Sequence, residues 1–207
     1  MLTSYYDKRG SEGEGVAFRS KGYVPDWSIV APPREPMAMA SCPPFLRTLL
    51  VTDGTVTKSL EAYYWEPVVV DAIANMPVQA ESEIEWLDVS AGEQVLSRSV
   101  LLRGARSKTL YASAYSVIRL NLIPEELKQK LIAGQLGIGE LIRECGVESY
   151  RELLEFGHTS SMSQFGGPDT EQECVFRSYR IIIGHRPAIL ISECFPIAVY
   201  EASRREG

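Results

Sequence analysis

The feature that most constrains the fold lies near the end of the chain, at residues 177–196, where two runs of β-branched and apolar residues flank the cluster Gly-His-Arg-Pro. This pattern predicts two β-strands joined by a short turn at residues 184–187. Because side chains alternate between the two faces of a strand, Glu193 shares its face with Ile191 and Phe195. Burying an unpaired charge is costly. We therefore expect Glu193 to have a cation or a polar ligand within reach.

Arginines on other predicted strands are candidate partners for this carboxylate. Along the strand that begins at Val95, alternation places Arg98 in an apolar row, and Arg177 lies in a similar row on the first strand of the hairpin. In one interpretation, Arg98 and Glu193 form a structural ion pair, which adds little net stability because desolvation offsets the attraction. In the other, Arg98 binds the carboxylate of a small acid in a pocket, and Glu193 faces a hydroxyl or ether oxygen of the same ligand.

Composition limits the classes of protein to which the chain can belong. It has 207 residues, 45% of them hydrophobic and 23% charged, which is typical of a soluble globular domain. The formal net charge of −6 argues against nucleic-acid binding, although a local arginine cluster can still bind a small anion. The four cysteines have no metal-ligand spacing, so we expect reduced thiols and no metal site. With no apolar run long enough for a signal peptide or a membrane span, the sequence predicts a cytoplasmic protein.

The pattern of predicted elements favours an α+β fold, an antiparallel β-sheet with helices packed on it. Besides the closing hairpin, strands are predicted at residues 67–73, 95–103, 109–120 and 197–201. Helices are predicted at residues 45–51, 124–132, 140–145 and 149–156. Residues 160–170 are expected to form a mobile loop. Residues 1–42, rich in Gly, Ser and Pro, predict an extended or partly disordered amino-terminal arm before a domain at 43–207.

The order and spacing of four short motifs resemble the chorismate pyruvate-lyase family over roughly residues 43–200. The motifs are an acid-turn-Thr segment ending on Glu at residues 53–61, a strand opened by Arg98, the turn Leu-Gly-Ile-Gly at residues 136–139, and the ending Ser-Glu-Cys-Phe at residues 192–195. No single motif is specific, but their order and spacing together are fairly specific. The strand at residues 111–115 departs from the better-known ubiquinone-pathway members, since it has small residues where they carry a further arginine.

The resemblance implies a chorismate lyase-like fold with an enclosed internal ligand cavity. The carboxylate-binding arginine of the family falls on Arg98, and its acid falls on Glu193, so these two are the predicted catalytic residues. The backbone amides of its two covering segments fall on Val56 and Ile138, which we predict to bind substrate. Arg177 is the predicted contact for the second carboxylate of the substrate, because of the face on which it lies.

The reaction implied by the resemblance is the elimination of pyruvate from chorismate to give 4-hydroxybenzoate, without a metal or redox cofactor, for quinone or other phenolic metabolite biosynthesis. If its apolar row raises the pKa of Glu193, that residue would act as an acid toward the departing ether oxygen. Whether it donates a proton or only orients the ring stays open. The alternatives are a non-catalytic small-ligand-binding domain of the same fold, and an enzyme that converts chorismate to a different hydroxybenzoate. The sequence leaves open whether the protein is a monomer or a dimer.

Overall fold

The computed structural model describes residues 28–29, 37–134 and 136–202 of the chain. Most of the predicted amino-terminal arm, residues 1–42, therefore lies outside the described residues. Its described parts are the short strands β1 (Ser28–Ile29) and β2 (Met37–Ala38), which pair antiparallel, and a 3₁₀ turn at Met39–Ser41. The separation of an arm from a domain at 43–207 stays a prediction.

In the described part of the chain, the remaining strands form a single six-stranded sheet. They are β3 (Val68–Gln79), β4 (Gln94–Gly104), β5 (Leu110–Ile118), β6 (Ser149–Ser161), β7 (Glu171–Ile183) and β8 (Arg186–Pro196). Their order is β3-β4-β5-β8-β7-β6, and every neighbouring pair is antiparallel. The predicted α+β class, with an antiparallel sheet and helices packed on it, is confirmed.

The helices are α1 (Pro44–Val51), α2 (Val56–Tyr64), α3 (Glu125–Ala133), α4 (Ile138–Glu144) and α5 (Ile197–Ala202). Prolines begin two of them, since Pro44 opens α1 and Pro124 is the N-cap of α3. At these positions the missing N–H of proline costs no helical hydrogen bond. Gly134 ends α3 in the left-handed conformation, with φ of 74°. The helices predicted at 45–51, 124–132 and 140–145 are confirmed. No described helix is long and apolar enough to cross a membrane.

The prediction of a helix at residues 149–156 was wrong, because these residues form the first part of β6. The segment contains good helix formers such as Leu153 and Glu155, so local propensity favoured the helix. Pairing with β7 overrides that preference and places Arg151 opposite Ile181. The correction matters for function, because it places Arg151 on the sheet at the site described below.

The strand predicted at residues 197–201 was also wrong, whereas the mobility of the loop predicted at 160–170 stays a prediction. Residues 197–201 form α5 rather than a strand, because Tyr200 packs into the core with 2% of its surface exposed and donates a hydrogen bond to the Tyr111 carbonyl at 2.7 Å. The loop at 160–170 contains a 3₁₀ turn, Ser163–Phe165, and it is anchored by Phe165, which is 1% exposed.

The sheet face that the helices cover carries apolar clusters at both ends of its central strands. At one end, Leu102 and Phe195 pack against α1 and α2; at the other, Leu96 and Ile189 pack against α3 and α4. Between the clusters lie two rows of registered neighbours across β4, β5, β8 and β7. The Arg98 row is Arg98, Ser116, Ile191 and Tyr179, and the Glu193 row is Val100, Ala114, Glu193 and Arg177. The polar residues of this face are thus gathered between two apolar ends.

A buried carboxylate ties the end of α2 to the turn between β4 and β5. Glu66 accepts hydrogen bonds from the Ser107 hydroxyl at 2.6 Å, from the Tyr111 hydroxyl, and from the backbone amides of Arg106 and Ser107 at 2.9 and 3.0 Å. The Ser107 and Tyr111 hydroxyls, in that order of effect, lower the pKa of Glu66 to about 2. A depressed carboxyl pKa in the folded state means that the ionised form stabilises the fold.

We expect Glu66→Gln to lower the thermal midpoint at neutral pH, because the neutral amide replaces an ionised acceptor of four hydrogen bonds. The stabilisation exists above the unfolded-state pKa of about 4.3 and is lost as the pH falls through the folded value. Calorimetric midpoints of both proteins should therefore differ most above pH 5 and converge as the pH approaches about 2. A difference that stays constant over this range would contradict the role given to Glu66.

Candidate active site

A pocket opens above the Arg98 and Glu193 rows, and every member of these rows except Arg177 lines its floor. Residues 54–57 before and within α2, and residues 137–139 at the start of α4, cover it from the helix side. The empty space between these walls is about 510 Å³, part of which is open solvent. Arg98, Glu193, Val56 and Ile138 all line this pocket, so the structure brings four predicted site residues together. Full enclosure of the cavity stays a prediction.

Glu193 is paired with Arg177, not with Arg98. The Arg177 Nε donates to one carboxylate oxygen of Glu193 at 2.8 Å, and the Tyr179 hydroxyl donates to the other at 3.2 Å. Glu193 lies on β8 and Arg177 lies directly opposite it on β7. The interpretation of Arg98 and Glu193 as a structural ion pair was therefore wrong. Because Arg177 supplies the counter-charge, Glu193 faces the pocket with its orientation already fixed.

Arg177 joins this pair to the end of α1. Its Nη1 donates to the backbone carbonyls of Thr52 at 2.6 Å and Leu50 at 3.3 Å, and the side chain is 0% exposed. The described lining of the pocket does not include Arg177. The position of Arg177 therefore does not support its predicted contact with the second carboxylate of the substrate. Arg177 instead holds Glu193 in place.

Tyr179 completes the polar group around Glu193. Burial raises the pKa of its phenol well above the usual value, and the Glu193 carboxylate raises it further. The hydroxyl therefore remains a proton donor to Glu193 throughout the physiological range. The Arg177 guanidinium carbon lies 4.8 Å from the centre of the Tyr179 ring, a distance typical of cation–π contact.

Arg98 is a buried cation that backbone carbonyls hold in place. It is 1% exposed, and its Nη2 donates to the Leu136 carbonyl at 2.6 Å and to the Gly134 carbonyl at 3.4 Å. Among the described residues its buried Nε has no hydrogen-bond partner. Burial lowers the pKa of this guanidinium, but arginine stays charged in proteins. A buried guanidinium with an unused donor is suited to bind an anion from the pocket.

The predicted backbone contacts, Val56 and Ile138, are the first residues of α2 and α4. The N-caps are Thr55 and Gly137, and within the described chain neither helix has a side-chain hydrogen bond at its cap. The first N–H groups of a helix have no intrahelical acceptor, and they carry partial positive charge. Both helices therefore bring amide donors to the cover of the pocket.

Arg151 is a site residue that the sequence analysis missed. It lies on β6, lines the pocket, and donates through Nη1 to the Asp53 carbonyl, while its buried Nε has no hydrogen-bond partner in the described chain. Its guanidinium carbon is 6.0 Å from the centre of the Tyr179 ring. Reading residues 149–156 as a strand would have placed it among inward-facing positions. The described pocket lining therefore contains two arginines, Arg98 and Arg151, and one carboxylate, Glu193.

Comparison with known proteins assigns the family. The chain matches the family described as Chorismate pyruvate-lyase Rv2949c-like over residues 50–203. It is 31% identical over 164 residues to a chorismate pyruvate-lyase of Mycobacterium leprae, covering 78% of each chain. It is 25% identical over 167 residues to a chorismate pyruvate-lyase of Mycobacterium tuberculosis, covering 78% of this chain and 84% of that protein. The chain therefore belongs to this family, and the resemblance read from its motifs is confirmed.

A solved structure shows the same fold at low sequence identity. PhnF from Mycobacterium smegmatis matches with a TM-score of 0.53 at 10% identity, over 70% of this chain and 65% of that chain. At this identity the likeness concerns the fold alone. It places the antiparallel sheet and its helices in a known architecture.

We expect Arg177→Met to lower the free energy of unfolding by about 3–5 kcal/mol, because it leaves the buried Glu193 carboxylate without its counter-charge. Arg180→Met is the matched control on the same strand. Arg180 pairs with Glu152 at 2.6 Å and donates to the Trp86 carbonyl at 3.1 Å, but it is 25% exposed, so its loss should cost about 1–2 kcal/mol. Urea unfolding of the three proteins measures both effects. Equally small decreases in the free energy of unfolding for the two variants would show that the Glu193–Arg177 pair stabilises the fold no more than the partly exposed pair does.

Proposed function

We propose that the protein is a chorismate pyruvate-lyase that releases pyruvate from chorismate and leaves 4-hydroxybenzoate. The match to the family over residues 50–203 and the names of its relatives support this activity. The observation that carries the proposal is the placement of Arg98 and Glu193 in one pocket without contact between them. An arginine and a carboxylate so arranged can bind the two ends of a small hydroxylated acid.

Arg98 is proposed to bind the ring carboxylate of chorismate. Its Nη2 is fixed by the Leu136 carbonyl at 2.6 Å, which leaves Nε free for a ligand oxygen. A charge-assisted bond from a buried guanidinium fixes the orientation of the carboxylate as well as adding affinity. The amides of Val56 and Ile138 are proposed to donate to substrate oxygens from the cover of the pocket.

The reaction redistributes one proton and one electron pair within chorismate. The ether C–O bond between the ring and the enolpyruvyl group breaks, and the neighbouring ring carbon that bears the hydroxyl loses its hydrogen as a proton. The ring becomes aromatic, and the enolpyruvyl group gains a proton on its methylene carbon, so that it leaves as pyruvate. The gain in aromaticity drives the step, so the protein has to position the reactant and stabilise developing charge.

Glu193 is proposed to accept the hydrogen bond of the ring hydroxyl, which becomes the phenol of the product. Arg177 and Tyr179 already donate to its two oxygens, at 2.8 and 3.2 Å, and these contacts suit a carboxylate that accepts. The ring is then held between Arg98 at its carboxylate and Glu193 at its hydroxyl. This arrangement favours an orienting role for Glu193 over donation of a proton to the ether oxygen.

The cellular location, the partners and the pathway are part of the same proposal. The four cysteines are free thiols, which is usual in the reducing cytoplasm, and we propose a cytoplasmic location. The net charge of −6 argues against nucleic acid as a partner. The 4-hydroxybenzoate would enter quinone or other phenolic metabolite biosynthesis.

The second candidate function is binding of a small acid without catalysis. The observation that keeps this candidate open is the pocket itself, because Arg98 and Arg151 in its lining would bind an acid whether or not it reacts. The same pocket would then bind chorismate or a hydroxybenzoate and return it unchanged. A lyase that gives another hydroxybenzoate isomer would use the same Arg98 and Glu193, and chromatography of the product separates these outcomes.

Purified protein mixed with chorismate is expected to release equimolar pyruvate and 4-hydroxybenzoate, measured by chromatography. Glu193→Gln should lower kcat by about 10²–10⁴, since the amide disturbs both the accepting oxygen and its Arg177 contact. Arg98→Lys and Arg98→Met should lower kcat/KM by about 10²-fold or more, with the lysine variant the milder.

Arg103→Met is the matched control for the Arg98 variants. Arg103 lies on the same strand, but it is partly exposed and forms an ion pair with Asp71 at 3.5 Å, outside the described pocket lining. Its activity should equal that of the wild type. Unchanged chorismate with folded wild-type protein would exclude the lyase, and full activity of Arg98→Met would exclude the role given to Arg98.

A further inference from the structure

The strongest observation outside the predicted site is the position of Arg151. The described pocket lining contains two arginines, Arg98 and Arg151, and one carboxylate, Glu193. Glu193 is already balanced by Arg177. Within the described chain, neither Arg98 nor Arg151 forms an ion pair with a carboxylate, and each has a buried Nε without a hydrogen-bond partner. The pocket thus carries two positive charges that no carboxylate of the described chain neutralises by an ion pair.

We propose that Arg151 binds the enolpyruvyl carboxylate, the part of the substrate that leaves as pyruvate. This inference rests on the proposed function, because it takes chorismate as the substrate. Chorismate has two carboxylates, and Arg98 is assigned to the one on the ring. Arg177 does not belong to the described lining. Its Nε binds Glu193, its Nη1 binds the carbonyls of Thr52 and Leu50, and its Nη2 is buried without a hydrogen-bond partner in the described chain. Arg151 is therefore the remaining arginine of the described lining for the second carboxylate.

The order of the strands supports this assignment. Arg98 lies on β4 and Arg151 on β6, and the strands between them are β5, β8 and β7. Four strand spacings separate the two backbones by about 19 Å, and both side chains line the pocket between them. Glu193 is on β8, the middle strand of these five. A dianion held at both ends by the arginines would therefore place its central ring hydroxyl and ether bond over Glu193.

The contacts of Arg151 place it between the two covering segments. Its Nη1 donates to the Asp53 carbonyl just before α2. A Cβ at position 139 would lie 3.2 Å from the Arg151 Nη2 and 3.2 Å from the Thr55 Oγ1, so Gly139 leaves room for the guanidinium at the start of α4. Binding of a carboxylate by Arg151 would thus join the starts of both helices to the leaving group.

Strand β5 contributes no charged side chain to the described pocket lining. The inward-facing residues of β5 on the pocket floor are Ala114 and Ser116, which carry no charge. The small side chains leave the middle of the floor open for the ring of a ligand. A second cation therefore has to reach the pocket from another strand, and β6 provides it.

The chemistry of the product gives a sharp test. Chorismate carries both carboxylates, whereas 4-hydroxybenzoate retains the ring carboxylate alone. A residue that contacts the enolpyruvyl carboxylate should matter for the dianion and not for the product. A residue that merely supports the pocket should affect both ligands together.

The probe is 3-(carboxymethoxy)-4-hydroxybenzoate, an aromatic dianion that has both carboxylates and the hydroxyl but cannot eliminate, compared with 4-hydroxybenzoate by calorimetric titration. We expect Arg151→Met to weaken binding of the dianion at least about tenfold and to change binding of 4-hydroxybenzoate less than about twofold. Arg151→Lys should lose part of the affinity for the dianion, since lysine keeps the charge but not the bidentate hydrogen-bonding geometry of the guanidinium group. Arg98→Met should weaken both ligands.

Arg143→Met is the matched control, because Arg143 is a half-exposed arginine on α4 that pairs with Glu140 at 3.7 Å outside the described lining. It should bind both ligands like the wild type. The proposal is overturned if Arg151→Met weakens both ligands equally, if it weakens neither, or if the wild type prefers 4-hydroxybenzoate to the dianion. These titrations need no turnover, so conversion of chorismate by the wild type reports separately on the proposed function. Thermal unfolding of each variant verifies that the titrated protein is folded.

Discussion

The buried pair of Arg177 and Glu193 is the interaction on which the site depends. It lies in one row of the sheet, joins β7 to β8, and extends through two backbone carbonyls to the end of α1. A buried ion pair contributes little net stability when its desolvation is counted, but removal of one partner is costly. Here the pair serves to orient Glu193. Arg177 and Tyr179 each donate a hydrogen bond to one carboxylate oxygen of Glu193. These two bonds fix the orientation of the Glu193 side chain before a ligand binds.

The sheet positions this polar pair by surrounding it with apolar packing. The clusters built on α1 and α2 at one end, and on α3 and α4 at the other, bury the rows on either side of the pocket floor. Packing at both ends leaves a gap in the middle, which the starts of α2 and α4 cover. The gap is polar because charged residues occupy inward-facing positions there. Closing it with apolar side chains would strengthen the core and remove the site.

Strand alternation predicted correctly which faces carry Glu193, Arg98 and Arg177, because β4, β7 and β8 are long strands on which successive side chains point to opposite faces. It could not predict which residues meet, because that depends on register and strand order. Ile183 pairs with Arg186, and a strict continuation from that pair would set Arg177 opposite Ser192. A bulge between Ile181 and Ile182 shifts the register by one residue and sets Arg177 opposite Glu193. The sequence shows no signal for this bulge.

The family assignment, the antiparallel sheet and four pocket residues were available from motifs and alternation, whereas Arg151 was not. Its segment is rich in helix formers and lies at the edge of the sheet, where pairing with a single neighbour and a bulge between Leu153 and Glu155 weaken the period of two. Propensity therefore outweighed alternation, and the arginine was assigned to a helix. On an edge strand, helix propensity and strand alternation are therefore hardest to distinguish from one sequence.

Three arginines at or beside the pocket, Arg98, Arg177 and Arg151, share a mode of support that explains how the pocket keeps its charge. Arg98 donates to the carbonyls of Gly134 and Leu136 just past α3, and Arg177 and Arg151 donate to carbonyls at or just past the end of α1. A backbone carbonyl oxygen carries partial negative charge and accepts hydrogen bonds, so it favours a cation. Unlike a carboxylate, they do not cancel its unit charge. Arg98 and Arg151 are thereby held in place and still attract an anion, whereas Arg177, which alone of the three also binds a carboxylate among the described residues, is neutralised and serves Glu193.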